Sequence, residues 1–562
     1  MGDQKNLLLA IVASLAILLG FQFLFPSEEI NLNKQGEENT DSIIPIPENS
    51  NIDISSREDI ISESSRINIG NDLIEGTLAL TGGRIDDILL KNYFETLEDD
   101  SQNIKLFSPK GSVNPYFAEY GWVSNSSKNI KLPDNNSIWI ADKNSISANQ
   151  SVTLTWNNNE GIIFKRKISL DDEYMFTIEQ TVINTTQNDI ILYPYGLISR
   201  AGIPELSGLY ILHEGPIGVF NDLLEELDYD DLEDEKITFK DNSDGWIGIT
   251  DKYWLAALVP QNKTKFTGYF ESFPTNTNTN FQATYTGPRI EVFGNSEVKY
   301  TSKLFTGAKE VSILNKHKDT GIKMFDRAVD FGWFYPITKP LFSLLDFFSK
   351  TFGNVGLAII ALTICIRIIL FPLANKSFKS MSKMKILQPK MMEIRERYPN
   401  DKIKMQQEIM ALYKKEKANP LAGCLPILLQ IPVFFALYKV LSVTIEMRHA
   451  PFYGWIKDLS APDPYSIFNL FGLIPIDLPS FLIIGIWPLL MGATMVLQFK
   501  LNPTPPDPIQ AKVMGMLPFI FIFLFAQFAA GLVIYWTCNN ILSIAQQWII
   551  IKKTDQISQN NK

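Results

Sequence analysis

Cysteine and histidine are scarce in this sequence, which contains three of each among 562 residues. Cys365, Cys424 and Cys538 all lie in or beside long apolar stretches, so the polar region before residue 335 contains no cysteine. That region therefore folds without disulfides, and a cysteine-based metal site is excluded there. The histidines are scattered along the chain, so no histidine cluster indicates a metal. We expect neither a metal nor any other cofactor.

Two further absences bear on function. The sequence lacks the phosphate-binding motif GxxxxGK(S/T), so its activity is not driven by a nucleotide bound in that kind of loop. Asp and Glu are absent from every long apolar stretch. These stretches are residues 7–25, 355–374, 421–443, 481–499, 513–530 and 531–551. Because each is about long enough to cross a bilayer as a helix, the sequence predicts six membrane spans.

One charged residue, Arg367, lies inside the second stretch, VGLAIIALTICIRIILFPLA. An arginine near the bilayer centre costs about 2.5 to 3.5 kcal/mol on insertion scales. No carboxylate in the other stretches can pair with it, and helical side chains lean toward the N-terminus, away from the nearer membrane face. We infer a water-filled recess around Arg367. A structural arginine that reaches lipid phosphate is the alternative.

Polar side chains in the other spans fit the wall of such a recess. Trp536, Asn540, Ser543 and Gln547 follow one another at spacings that place them on one helical face, Thr363 lies one turn before Arg367, and Gln430, Gln498 and Gln527 add further amides. Each of these groups taken alone could instead join neighbouring helices by hydrogen bonds. Together with an arginine that lacks a carboxylate partner, they favour a hydrated groove.

The charge distribution predicts the topology. Residues 26–335 carry 27 basic and 48 acidic side chains, whereas residues 376–419 carry 12 basic and 5 acidic ones. The positive-inside rule places the basic segment in the cytoplasm and the long acidic region outside. The first stretch ends in bulky residues and lacks a small-x-small cleavage site, which indicates an uncleaved anchor. Counting spans then puts both termini in the cytoplasm.

The exported region has the pattern of an all-β sandwich. Short segments of alternating polar and apolar residues are separated by turn signals such as TGG at 81–83 and NTTQND at 184–189. His213 and Glu214 resemble the acid and base of a sugar-processing enzyme. Adjacent residues of a strand point to opposite faces, however, so we expect no catalysis and predict that the chain is not an enzyme.

Three strings in the second half of the chain carry a family resemblance. They are FPLANKSFKSMSKMKILQPKM, ALYKKEKANPLAGCLPILLQIPVFFALY and GLVIYW. In this order they closely resemble the YidC/Oxa1/Alb3 family of membrane insertases, and the resemblance is strongest from about residue 330 to 551. The anchor and the large exported domain match the Gram-negative form of that family.

The resemblance implies a groove formed by the second to sixth spans, open to the cytoplasm and to lipid but closed to the outside. Arg367 and Thr363 match the groove, and Ile431, Phe434, Tyr535 and Trp536 match positions that line the exit of the substrate. It also implies that the exported domain is a β-supersandwich like that of galactose mutarotases, without their catalysis. The expected partners are newly made and nascent membrane proteins, the Sec translocon, ribosomes and the lipid bilayer, with the chain acting as a monomer.

We therefore expect an α-helical polytopic protein of the bacterial inner membrane, with a five-helix insertase core and a periplasmic region at 27–352. The predicted segments are an anchor (1–26), a flexible tether (27–66), the β domain (67–330), an interfacial amphipathic helix (331–352), the second span (353–375), a basic helical hairpin (376–419), the third span (420–444), a periplasmic loop (445–480), the fourth span (481–500), a cytoplasmic loop (501–512), the fifth and sixth spans (513–551) and a cytoplasmic tail (552–562).

Two other classes of protein are alternatives to an insertase. A solute transporter is expected to show repeated halves with broken helices, often with acidic coupling residues in its spans, and this sequence shows neither feature. A membrane-anchored carbohydrate-active enzyme would require clustered carboxylates in the β domain. We expect instead that the chain inserts and folds membrane proteins, alone or with the Sec translocon, and that the groove receives the hydrophilic end of the substrate.

Overall fold

The computed structural model describes residues 54–560, except for 125–129, 209–211, 233–235, 276–277, 333–334, 400, 417–424, 472, 475, 477–478, 480–481 and 503–507. The predicted anchor and most of the predicted tether lie outside these residues. The chain forms two compact units. We call the described part of Thr40–Lys339 and Tyr438–Ala450 the β unit, and that of Pro340–Leu437 and Pro451–Lys562 the helical unit.

The β unit contains two large sheets. The described strands are β1 (Arg66–Gly70), β2 (Ile74–Ala79), β3 (Arg84–Phe94), β4 (Asn103–Phe107), β5 (Tyr116–Val123), β6 (Ile140–Ala141), β7 (Ser145–Ser147), β8 (Ser151–Asn157), β9 (Ile162–Leu170), β10 (Met175–Asn184), β11 (Ile190–Ala201), β12 (Gly215–Phe220), β13 (Leu223–Glu226), β14 (Ile237–Asn242), β15 (Gly245–Thr250), β16 (Trp254–Val259), β17 (Phe266–Pro274), β18 (Thr279–Thr286), β19 (Ile290–Val292) and β20 (Ser296–Ala308). One sheet has eleven strands, in the order β14-β17-β18-β11-β5-β3-β2-β1-β7, with β19 beside β11 and β4 beside β3. The other has nine, in the order β13-β12-β15-β16-β20-β10-β9-β8-β6.

The sheets pack face to face because their strands alternate as the sequence predicts. In β9, alternate side chains are buried and face the core, and the apolar ones among them are Ile162, Phe164, Ile168 and Leu170. Aromatic contacts join the two sheets, for example the edge-to-face pair of Phe220 in β12 and Phe270 in β17. The large β-rich domain expected from the sequence is therefore present, with a sandwich core.

A buried arginine also joins the two sheets. Arg166, in β9, is only 2% exposed, and its Nη1 donates to the main-chain oxygen of Gly83 at 2.6 Å. Its Nη2 donates to the main-chain oxygen of Tyr120 in β5, and its guanidinium lies 4.7 Å from the ring centroid of Trp139. Gly83 has a φ of 63°, and a Cβ there would come within 2.7 Å of Arg166 Nη1. Glycine at this position therefore lets the backbone approach the arginine.

The helices depart from the predicted segment boundaries. The described helices are α1 (Arg57–Glu63), α2 (Val311–Asp319), α3 (Tyr335–Phe352), α4 (Val355–Arg397), α5 (Lys402–Lys415), α6 (Leu425–Val443), α7 (Ile486–Leu501), α8 (Pro508–Phe525) and α9 (Ala530–Asn560). α4 is one helix of 43 residues that passes through the boundary placed at residue 375. α9 likewise continues past residue 551, where a separate tail was expected. After the turn that follows α4, the Asp401 side chain caps α5 by accepting from the Lys404 main-chain N–H.

One described helix, Val355–Arg397, is long and apolar enough to cross a membrane. Shorter apolar helical stretches are Gln430–Val443, Ile486–Leu501 and Ala511–Phe525. The structure thus shows the helical C-terminal region, while the count of six spans and the five-helix core stay predictions.

A short segment distant in sequence completes the β unit. Residues 438–450, at the end of α6 and in the loop after it, belong to this unit. Lys439 Nζ lies 2.7 Å from Asp330 Oδ2, and Nη2 of Arg448 donates to the main-chain oxygen of Phe94. The sequence assigned these residues to a span and a loop, because ion pairs between segments so far apart leave no local pattern.

The buried carboxylate of Asp326, in the loop between α2 and α3, accepts hydrogen bonds from three donors. Asp326 is 3% exposed, and its Oδ2 accepts from Lys339 Nζ at 2.6 Å, from Lys318 Nζ at 3.1 Å and from the Tyr335 hydroxyl. Burial alone would raise the pKa of Asp326. The hydrogen bonds from Lys339, Tyr335 and Lys318 outweigh burial and lower the pKa to about 2.

We expect Asp326→Asn to lower the free energy of unfolding at pH 7 by about 1 to 2 kcal/mol. The folded pKa lies below the unfolded value, so the stabilisation is complete above about pH 4 and is lost as the pH falls through about 2. Denaturant unfolding of the full chain in detergent, at pH 7 and at pH 2.5, measures both effects. Asp319→Asn, at an exposed carboxylate, is the control. An equal loss at both pH values would contradict the assignment.

Candidate functional site

Arg367, the charged residue that the sequence singled out, is half-buried in α4. Its Nε donates to Oδ1 of Asn539 at 2.7 Å, and its Nη2 donates to the main-chain oxygen of Asn539 at 3.1 Å. Nη2 also donates to Oγ of Ser543. Asn539 and Ser543 are 7% and 2% exposed and belong to α9. The guanidinium therefore joins α4 to α9 through neutral oxygen atoms.

Within the part of the chain that the structure describes, the hydrogen-bond partners of Arg367 are neutral. Its hydrogen bonds go to an amide, a main-chain carbonyl and a hydroxyl, none of which carries a negative charge. A guanidinium stays protonated in proteins, and its interaction with an opposite charge strengthens as the surrounding dielectric constant falls. The arrangement fixes the position of a positive charge without neutralising it.

A second hydrogen bond joins α6 to the same face of α9. Nε2 of Gln430 donates to the hydroxyl of Tyr535 at 2.9 Å, and Tyr535 is only 1% exposed. Tyr535, Asn539 and Ser543 recur every four residues, so they form one stripe along α9. We call this set the polar stripe. Tyr535 of this stripe contacts Gln430, and the next two residues contact Arg367. Successive turns of α9 therefore bind both side chains.

An aromatic cluster adjoins the polar stripe. Phe434 of α6 packs edge-to-face on Trp536 of α9, with ring centroids 4.8 Å apart. Phe521 and Phe525 of α8 also contact Trp536, at 6.4 and 5.2 Å between centroids. Ile431, one turn before Phe434, is 44% exposed. The predicted exit residues Ile431, Phe434 and Trp536 thus lie at or beside the place where three helices meet.

Among the polar residues that the sequence singled out, Ser543 is the one that hydrogen-bonds Arg367 within the described part of the chain, while Thr363 and Asn540 have other partners. The buried hydroxyl of Thr363 donates to the main-chain oxygen of Ile359, within its own helix. Nδ2 of Asn540 donates to Oγ1 of Thr494 in α7, at 3.1 Å. The polar face predicted for the last span is therefore divided, because Asn540 contacts α7 and Ser543 contacts Arg367.

Asn539 is the residue that the sequence analysis missed. Hydration of Arg367 stays a prediction, and the structure shows that a side-chain amide, a carbonyl and a hydroxyl also bind its guanidinium. The available signal was the spacing of Tyr535, Asn539 and Ser543, four residues apart. Asn540 is adjacent to Asn539 and shares a predicted face with Trp536, Ser543 and Gln547. The sequence therefore favoured Asn540 over Asn539.

Comparison with known proteins identifies the family. Residues 347–558 match the family described as 60Kd inner membrane protein, and residues 66–344 match the YidC periplasmic domain. The membrane protein insertase YidC of Methylobacterium radiotolerans is 45% identical over an alignment of 588 positions, gaps included, which covers 98% of this chain and 95% of that protein. The YidC of Rickettsia prowazekii is 47% identical, with coverages of 97% and 99%.

This chain belongs to the YidC family. The prediction from the three sequence strings is confirmed. The protein is a membrane protein insertase of the inner membrane with a periplasmic domain, and it is not an enzyme. Consistent with this, the side chains considered for catalysis have structural contacts. His213 Nε2 lies 3.0 Å from the Pro216 main-chain oxygen, and Glu214 accepts from the main-chain N–H of Lys252.

Solved structures show weaker similarity to this chain. A crystal structure of an active YidC insertase with its first transmembrane domain resolved has 16% identity and a TM-score of 0.37, and the match covers 95% of this chain and 98% of that one. A galactose mutarotase related enzyme from Lactobacillus acidophilus has 11% identity and a TM-score of 0.31, covering 43% of this chain and 97% of that one. The resemblance of the β domain to mutarotases stays a prediction.

We expect Asn539→Ala to destabilise the helical unit more than Asn540→Ala. Hydrogen bonds to charged groups contribute about 1.5 to 3 kcal/mol, whereas those between neutral side chains in membrane proteins average about 0.6 kcal/mol. Denaturant unfolding of the full chain in micelles measures the two costs. In a double-mutant cycle, Arg367→Gln should reduce the cost of Asn539→Ala and leave that of Asn540→Ala unchanged. Additive costs at 367 and 539 would exclude the observed contact.

Proposed function

We propose that Arg367 receives the hydrophilic end of a substrate protein in a hydrated groove of the helical unit, and that the insertase activity depends on this step. The observation that carries the proposal is the set of neutral acceptors that holds Arg367 without neutralising it. An acidic segment that approaches this charge gains attraction, which partly offsets the cost of leaving bulk water. Substrates with acidic ends are therefore favoured.

The apolar part of the substrate then moves past the aromatic cluster into lipid. Trp536 and Phe434 offer rigid apolar surface, and the exposed side chain of Ile431 extends it. Burial of apolar surface contributes about 25 cal/mol per Å². The membrane potential adds about 2.3 kcal/mol per charge per 100 mV. These two terms supply the drive without a nucleotide. Thr363, Gln430, Tyr535 and Asn540 complete the proposed groove.

The proposed setting is a monomer with six spans whose core of five spans forms the groove. We propose that it works alone or with the Sec translocon and that ribosomes deliver nascent chains to it. The basic segment 376–419 is the proposed site of first contact, since its 12 basic side chains outnumber 5 acidic ones.

Both termini and the turn at 398–401 are expected to be cytoplasmic, because the basic segment stays inside. A reporter that is active only in the cytoplasm should be active after Lys562 and within 398–401. The same reporter should be inactive in the exposed turn at 98–101 of the β unit. Activity at 98–101 would reverse the proposed topology.

We expect Arg367→Glu to reduce insertion of a substrate with an acidic tail at least tenfold, which corresponds to about 1.4 kcal/mol. A matched substrate with a neutral tail should lose less than about twofold, because it gains no attraction from the charge. Insertion into proteoliposomes, scored by protease protection of the tail, measures both substrates.

Two further variants separate charge from fold in this experiment. Arg367→Gln keeps a hydrogen-bonding side chain but no charge, so its loss should also be confined to the acidic tail. Arg367→Lys keeps the charge but not the paired donors. The ratio of acidic-tail insertion to neutral-tail insertion should therefore stay close to that of the unchanged protein. Equal losses for both tails in Arg367→Glu and Arg367→Gln would exclude electrostatic attraction.

A further inference from the structure

Three potential metal ligands converge at one end of the β unit. Asp171 and Glu173 lie in the turn between β9 and β10, and His317 lies in the last turn of α2. One ligand atom from each residue lies within 4.8 Å of the other two. The residues are far apart in the sequence, so the sequence analysis found no metal site.

Two atoms in this group are buried and lack a hydrogen-bond partner within the described part of the chain. They are His317 Nε2 and Glu173 Oε2, which lie 3.4 Å from each other. The His317 side chain is 7% exposed. Buried polar atoms are nearly always satisfied, and an ion bound between these two atoms would satisfy both. Two ligands of one tetrahedral zinc ion, with bonds of about 2.1 Å, are themselves about 3.4 Å apart.

The surroundings orient each ligand. The rings of Phe305 and Phe325 pack edge-on against the imidazole, with centroids 5.9 and 6.1 Å away. Asp171 Oδ1 accepts from the main-chain N–H groups of Glu173 and Met175, which fixes the Asp171 carboxylate. In known metal sites, residues that contact the metal ligands restrict the orientation of those ligands. The aromatic rings around His317 and the main-chain N–H groups at Asp171 act in the same way.

Charged groups of both signs surround His317, namely the carboxylates of Asp171 and Glu173 and the ammonium groups of Lys303 and Lys316. Lys316 Nζ lies 2.7 Å from Glu173 Oε1, which engages one carboxylate oxygen and leaves Oε2 facing the imidazole. Burial lowers the pKa of His317, although Asp171 and Glu173 act to raise it.

We propose that Asp171, Glu173 and His317 bind a divalent transition-metal ion, with Zn²⁺ as the best fit. An imidazole nitrogen with two carboxylates suits Zn²⁺, whereas Ca²⁺ and Mg²⁺ prefer oxygen ligands throughout. Three protein ligands leave one tetrahedral position for water. The ion would join the β9–β10 turn to α2, the helix that follows the last strand.

The test uses the full chain in detergent, without an affinity tag and freed of metal by a chelator. Zn²⁺ is added, and the metal retained after gel filtration is measured by mass spectrometry. We expect one Zn²⁺ per chain, and loss of that ion in His317→Gln. The matched control is His213→Gln, since His213 Nε2 already contacts the Pro216 main-chain oxygen; it should retain the ion.

A second measurement keeps the proposal falsifiable if His317→Gln folds poorly. Glu173→Gln retains the size and shape of the side chain and should weaken Zn²⁺ binding at least tenfold by calorimetry. Zn²⁺ should also raise the midpoint of thermal unfolding of the unchanged chain and not that of Glu173→Gln. Retention of no Zn²⁺ by the unchanged chain, or equal binding by the unchanged chain and Glu173→Gln, would overturn the proposal.

Discussion

A guanidinium held by neutral oxygen atoms is the constraint on which the helical unit depends. Arg367 is fixed to α9 by Asn539 and Ser543, and neither partner cancels its charge. An aspartate in place of Asn539 would satisfy the same donors but form an internal ion pair. The amide therefore separates two tasks that a carboxylate would combine, since it sets the geometry of the arginine and leaves its charge available.

The sequence indicated Arg367 as the centre of the candidate site, but it did not indicate the hydrogen-bond partners of Arg367. Arg367 stood out because a lone charge in an apolar span is costly, and Tyr535 and Trp536 followed from family resemblance. Asn539 and Asn540 differ by about 100° around α9, so they contact different helices. A helix that is apolar on nearly all sides gives no clear contrast between faces, and its rotation about its own axis is then not readable from the sequence.

In the β unit, local pattern predicted the strands and long-range pairing stayed out of reach. Alternation in β9 marks its buried face, but nothing local indicates that β10 lies between β9 and β20. The same limit applies to Lys439 with Asp330, and to Asp171 and Glu173 with His317. The boundary expected at residue 375 reflected a change from apolar to basic composition. The backbone continues through it because helical hydrogen bonds form in lipid and in water alike.

α4 is one continuous helix, so its apolar part and its basic part are joined without a break. At 43 residues it is about 65 Å long, and it carries both Arg367 and the first half of the basic hairpin. Pro372 and Pro389 interrupt its hydrogen-bond ladder, and Pro372 lies just over one turn from the arginine. A bend at Pro372 would therefore move the basic half of α4 relative to Arg367 and its contact with Asn539.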